Sequence, residues 1–275
     1  MLREMNSLHV QPNALAIWGL GQMGVALQTA EAVVYIDPYL SNSVEEMAGA
    51  WWKRAFVPPI RPEAISNAKY IFITHEHLDH LDPQTLRAMR KLSPEVRFVT
   101  TQWCEKPLRD LGVIEPYILT PSALEPYNLP EISLRVTPVP AAHYELTFDV
   151  RKGYRWLGFL IEWNGVTFYH AGDTVIYPNY LETLKSLPKI DVALLPINGR
   201  DWVRERRDVV GNLHPLEAAH LASELGIDTV LIGHNDMFPN NALPMGEVFQ
   251  AFATHAPRQK LKYLQPSELL YYVKL

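Results

Sequence analysis

The chain has 275 residues, 48% of them hydrophobic and 20% charged, which is ample to bury a sizeable core and is expected to form one domain over residues 1–275. Its formal net charge of -5 argues against a broad nucleic-acid-binding face, and a single cysteine, Cys104, excludes an internal disulfide framework and fits a reducing cytoplasm. No run of apolar residues is long enough to span a bilayer, and Met1-Leu2-Arg3-Glu4-Met5-Asn6 lacks a signal-like stretch, so neither a membrane span nor export is expected.

Ala14–Trp18 and Val33–Ile36 read as strands on either side of Gly19-Leu20-Gly21-Gln22-Met23-Gly24. A dinucleotide-binding fingerprint would need a crossover helix after the glycines. Only Val25-Ala26-Leu27-Gln28 intervenes before the turn-like Thr29-Ala30-Glu31, so the segment reads instead as two short strands joined by a tight turn. The glycines there would let the backbone approach a site closely. Asp37, at a strand end before Pro38, suits a simple turn residue.

The apolar strand Tyr70–Thr74 then runs into His75-Glu76-His77-Leu78-Asp79-His80. This HxHxDH pattern concentrates three of the chain's ten histidines in one short loop. Imidazole and carboxylate together suit zinc, manganese or iron better than calcium, and ligands this dense can feed two adjacent ions. Asp82 can cap a helix that starts at Pro83 and runs through Leu86, Met89, Arg90 and Leu92. Strands follow near Val96–Thr100 and Ile132–Pro138, separated by proline-rich linkers.

Three further strands each run into a loop bearing a potential ligand. Leu134–Thr137 precedes Pro140-Ala141-Ala142-His143, Val166–Tyr169 precedes His170-Ala171-Gly172-Asp173-Thr174, and Thr229–Ile232 precedes Gly233-His234-Asn235. Taken singly, His143 and His234 suit structural histidines and Asp173 a turn former; taken together with the first loop, they point to one shared site. His214 stands before Pro215 at the start of a helix whose buried face is Ala218, Ala219, Ala222 and Leu225 and whose end is Gly226. Strands alternating with helices imply a layered α/β fold.

The order HxHxDH, lone His, Gly-Asp-Thr, late His resembles the metallo-β-lactamase superfamily from about residue 14 to the C-terminus. Within it, Tyr35-Ile36-Asp37-Pro38, Leu194–Gly199 and His214-Pro215-Leu216-Glu217-Ala218 resemble the branch of UlaG-like lactonases (L-ascorbate-6-phosphate lactonase-like) and, more distantly, N-acyl-phosphatidylethanolamine phospholipase D enzymes. The resemblance implies a four-layer αββα sandwich of the α/β class. It also implies a metal-dependent hydrolase whose metal-activated water attacks a small, anionic ester or lactone.

One metal site would use His75, His77 and His143, the other Asp79, His80 and His234, with Asp173 bridging one or two divalent ions, zinc or manganese. Asp79 would orient the water or take its proton, and Asp37 would match the superfamily's aspartate behind the ligands. His214 would donate to an oxyanion or only cap its helix, and His170 would support a ligand or end its strand. Two loops carry basic residues: Tyr144–Trp156 holds Arg151, Lys152, Tyr154 and Arg155, and Asn198–Arg207 holds Arg200, Trp202, Arg204, Arg206 and Arg207. Facing the metals, they would select an anionic substrate through Asn198, Arg200 and Arg204; otherwise they form a solvated face with Glu205 and Asp208. A phosphodiesterase or nuclease and a metal-binding protein without turnover are the alternatives. A small molecule is the expected partner, and a homo-oligomer is compatible with the sequence.

Overall fold

Sixteen strands build two mixed sheets and a small hairpin in the computed structural model, which describes residues 1–274. The first sheet runs β1 (Ala14–Gly21), β2 (Gly24–Gln28), β3 (Val33–Ile36), β4 (Ala68–Phe72), β5 (Arg97–Val99) and β6 (Ile118–Leu119), in that order. The second begins with β7 (Tyr127–Leu129) and β8 (Leu134–Pro140). After the hairpin of β9 (Phe148–Asp149) and β10 (Gly153–Tyr154), it continues with β11 (Leu157–Trp163), β12 (Val166–His170), β13 (Val192–Pro196), β14 (Thr229–Gly233) and β15 (Lys260–Lys262). Finally β16 (Leu269–Val273) returns to pair antiparallel with β1.

Both sheets change direction in the same way. β1 to β3 are antiparallel and β3 to β6 parallel; β7, β8, β11 and β12 are antiparallel and β12 to β15 parallel. Antiparallel neighbours accept tight turns, whereas parallel ones need crossovers, and the crossovers carry the helices. β1 to β3, β12, β13 and β14 are buried throughout, as expected of near-continuous apolar runs covered on both faces.

Between the sheets, Leu15, Ile17 and Phe72 pack with Phe159, Phe168, Leu194 and Leu231 in one cluster, with the Phe72 and Phe159 rings edge-on at 5.4 Å. Each such side chain contributes about 1.5–3 kcal/mol on burial. Outside the first sheet, Ile71 and Phe98 pack with Leu86 and Met89 of the helix Pro83–Leu92. Outside the second, Tyr169 and Leu195 pack with Ala218 of the helix Pro215–Leu225 and Phe252 of the helix Met245–His255. The layers are therefore helix, sheet, sheet, helix, the expected αββα sandwich.

Two local expectations need correction. The strand expected from Ile132 starts only at Leu134, because Pro130–Ile132 forms a 3-10 turn and Ser133 takes a left-handed φ of 50°. The glycine segment does make a hairpin, but β1 itself extends to Gly21 and its partner is β2, with Val33–Ile36 the third strand. Cys104 is a buried core residue. Among the described residues no helix is long and apolar enough to cross a membrane.

Candidate metal centre

The HxHxDH loop is held at both ends by carboxylates that lie outside the ligand pattern's dense centre. At its start, Asp37 accepts from the Thr74 amide at 2.8 Å and the Thr74 hydroxyl at 2.6 Å. At its end, Asp82 accepts from the Gln84 amide at 3.1 Å as cap of the following helix, and from the Ser41 hydroxyl at 2.9 Å. Between them the amides of His80 and Leu81 both donate to the His77 carbonyl, at 3.0 and 2.7 Å, and curl the loop so that His75, Asp79 and His80 converge on common ground.

Asp173 sits at the middle of the assembled side chains. Its Oδ1 is 3.4 Å from His80 Nε2, and its Oδ2 is 3.2 Å from His234 Nε2 and 3.9 Å from His143 Nε2. Asp79 Oδ2 is 3.6 Å from both His80 Nε2 and His234 Nε2. His75, His77 and His143 form a second group, with ring centroids 4.7 to 5.8 Å apart. Donor atoms of His75, His80 and Asp173, and of Asp79, His80 and His234, lie within 4.8 Å of one another in each trio. The trio Asp79, His80 and His234 is thus gathered as the ligand order suggests, whereas His75 is drawn tighter to His80 and Asp173 than to its expected partners.

Burial and the neighbouring carboxylates shift these side chains in opposite directions. Burial holds His75 well below the ordinary imidazole pKa, lowers His77 and brings His143 down to about 4, so these rings are neutral with a free lone pair. Burial would lower His80 and His234 too, but the carboxylates of Asp173 and Asp79 outweigh it; His80 lies well above its usual value and His234 rises to about 10. Conversely, despite burial, His80 and His234 hold Asp79 and Asp173 below the carboxylate range. Four buried polar atoms, His75 Nε2, His80 Nε2, His143 Nδ1 and Asp173 Oδ1, have no hydrogen-bond partner. Each such orphan costs about 1–3 kcal/mol, and a divalent cation held by the trio His75, His80 and Asp173 would give partners to the orphans on those three residues. The donor set fits the expected ion.

Supporting groups surround this centre. Asp37 Oδ2 accepts from His80 Nδ1 at 2.7 Å, which turns the Nε2 of that ring toward Asp79 and Asp173. Buried His170 is not aimed at the centre: its Nε2 donates to the Met23 carbonyl at 2.8 Å, leaving Nδ1 to accept from the Gly172 amide at 3.1 Å, so it braces the loop that delivers Asp173. Two further residues escape sequence inspection. Gln22, in the β1–β2 turn, donates from Nε2 to Asp79 Oδ2 at 2.8 Å, and its carbonyl accepts the His234 amide at 3.0 Å. Trp156 lies 5.1 to 5.2 Å from the rings of His75, His77 and His143, and the Arg155 guanidinium, paired with Glu76, covers it at 4.4 Å. The only hint in the sequence was Gln22's place between close-approach glycines.

A cavity of about 290 Å³ opens onto the centre. Its polar floor includes His77, Asp79, His143, Asp173 and His234; its walls are Val44, Trp52, Leu78, Val210 and Phe238, with Asp208 and Asn241 also lining it. Trp52 and Phe238 meet edge-on at 5.5 Å. Among the described residues no Lys or Arg lines this cavity. Arg200 is engaged elsewhere, donating to both Glu217 carboxylate oxygens at 2.6 and 2.8 Å. Arg204 is buried, donating to the Asn198 carbonyl at 2.8 Å and to Asp201, and Asn198 donates to Asn241 Oδ1 at 3.0 Å. His214 does not line the cavity either: its exposed ring accepts the Leu216 amide at 3.4 Å while Glu217 accepts its backbone N–H at 2.8 Å, a reciprocal helix cap. None of the expected substrate contacts Asn198, Arg200 and Arg204 lines this cavity, and nearby carboxylates and carbonyls take up most of their donors, with Arg204 Nη2 left without a partner.

A family model described as a beta-lactamase superfamily domain matches residues 33–235. A UPF0173 metal-dependent hydrolase of Methanoculleus marisnigri is 29% identical over 210 residues, covering 73% of this chain and 81% of its own length. One of Pyrobaculum calidifontis is 28% identical over 254 residues, covering 91% and 96%. Among solved structures, a metallo hydrolase from the archaeon Ignicoccus hospitalis superposes with a TM-score of 0.72 at 20% identity, covering 95% of this chain and 100% of that one, a likeness of fold.

Proposed function

The chain belongs to the beta-lactamase superfamily of metal-dependent hydrolases, and on that premise we propose that it opens a small, uncharged ester or lactone with an apolar flank. The observation that carries this reading is the cavity lining, an apolar wall of Val44, Trp52, Leu78, Val210 and Phe238 facing the His and Asp floor. The finer expectation of an anionic, UlaG-like substrate gains no support from that lining, which holds no cationic side chain. The phosphodiesterase alternative lacks the same contact.

His75, His77 and His143 on one side, Asp79, His80 and His234 on the other, and Asp173 between them would hold one or two divalent ions, zinc or manganese by donor type. Such ions supply Lewis acidity and a water acidified toward neutral pH. Asp79 would orient that water or take its proton, and the hydrogen bond from Gln22 supports a fixed carboxylate for the task. Asp37 would keep His80 in the ligating tautomer. Trp156 would exclude bulk water behind the three histidines, while Trp52 and Phe238 receive the apolar flank.

The test is turnover by zinc- or manganese-loaded protein on matched pairs of esters and lactones, uncharged against carboxylated or phosphorylated. Uncharged members should turn over faster, and Trp52→Ala should lower their kcat/KM about tenfold or more. A preference for the phosphorylated lactone would overturn the substrate class. No turnover of any member by fully loaded protein would favour a metal-binding role.

A further inference from the structure

The ends of the basic loop Tyr144–Trp156 pack against the metal centre, but its tip lies apart from it. Arg151 and Lys152, at the tip of the β9–β10 hairpin, line a second cavity of about 330 Å³, closed on its other side by Thr101, Gln102, Thr120 and Ser122. The two cavities share no lining residue. Among the described residues no carboxylate lines the second one, in a chain whose net charge is -5. Asp149 accepts the backbone N–H groups of Arg151 and Lys152 at 2.8 and 3.0 Å, which fixes the tip and uses none of the side-chain donors. Lys152 Nζ stands 4.6 Å over the Trp103 ring, whose Nε1 donates to the Gly153 carbonyl at 3.3 Å, so an indole platform sets the ammonium at the rim.

We propose that this cavity is a second ligand site, which binds the phosphate group of a small molecule through Arg151, Lys152 and the hydroxyls of Thr120 and Ser122. A guanidinium, an ammonium and two hydroxyls outnumber what a carboxylate's two oxygens can use, and they suit the oxygens of a tetrahedral dianion. The volume exceeds that of phosphate alone. Phe148 and Tyr154, with ring centroids 4.9 Å apart, offer aromatic surface to the rest of the ligand.

The site is tested by titrating isotope-labelled, zinc-loaded protein with inorganic phosphate at constant ionic strength and following the Trp103 indole N–H resonance, assigned with W103F. A saturable shift is expected, with affinity about tenfold or more weaker in the double variant Arg151→Gln/Lys152→Gln and unchanged in Asp173→Asn. Arg151 and Lys152 are exposed, so the double variant retains the fold. No shift, an equal shift with chloride, or unaltered affinity in the double variant would each overturn the proposal. A shift lost in Asp173→Asn would overturn it too, by assigning the phosphate to the metal centre.

Discussion

At Asp37 one buried carboxylate accepts the Thr74 amide, the Thr74 hydroxyl and His80 Nδ1, with its own backbone at a φ of 45°. His234 is likewise left-handed at 59°, and strain of this kind persists only where surrounding contacts over-determine it. Asp37→Asn turns one acceptor oxygen into a donor, and it should weaken metal binding about 10- to 100-fold in competition with a chromogenic chelator. Unaltered affinity would remove Asp37 from the ligand support. Gln22→Leu should leave metal stoichiometry intact yet cut kcat about tenfold, since it deletes a hydrogen bond to a charged carboxylate. The dense HxHxDH residues were legible because ligand chemistry and spacing coincide there. Gln22 was not, because its role exists only once a hairpin folds back onto the β14 loop, and glutamine carries no ligand signature.

Strand ends do the gathering: His75 follows β4, His143 follows β8, Asp173 follows β12 and His234 follows β14. Open α/β sheets place sites at the carboxyl ends of parallel strands, where backbone groups leave the ladder together. The loop to Asp173 turns at Gly172, whose φ is 62° and where an added Cβ would meet the Leu157 carbonyl oxygen at 2.4 Å. Gly172→Ala should therefore destabilise by about 2–4 kcal/mol, read as a lower unfolding midpoint, and reduce bound metal. Arg200→Ala should cost about 1 kcal/mol or less, because its half-exposed pair with Glu217 is screened by solvent, and should spare kcat/KM. A large loss of activity at intact stability would restore Arg200 as a substrate contact. Caps and long apolar strands were readable from local pattern, as Asp82 and His214 demonstrate. The two-residue β6 and three-residue β7 were not, since their pairing with β5 and β8 supplies what local periodicity lacks.

The donors come from both sheets, four from the first and His143, Asp173 and His234 from the second. An ion there would cross-link the two layers as well as do chemistry. Held at a hundred times its Kd, it would add about 2.7 kcal/mol of stability per site. Calorimetry of chelated against reloaded protein should show a lower midpoint after chelation, and coincident midpoints would mean that the two layers stand without help from the ion. Which way a loop faces belongs to this level of organisation, so the destination of Arg151 and Lys152 could not be read from their neighbours in sequence. The same division of donors bears on how the chain is born. A nascent polypeptide leaving the ribosome exposes His75–His80 long before His234, and until then it offers an incomplete, loosely held chelate. Any choice among competing ions would then fall to the finished protein, whose second sheet supplies Asp173.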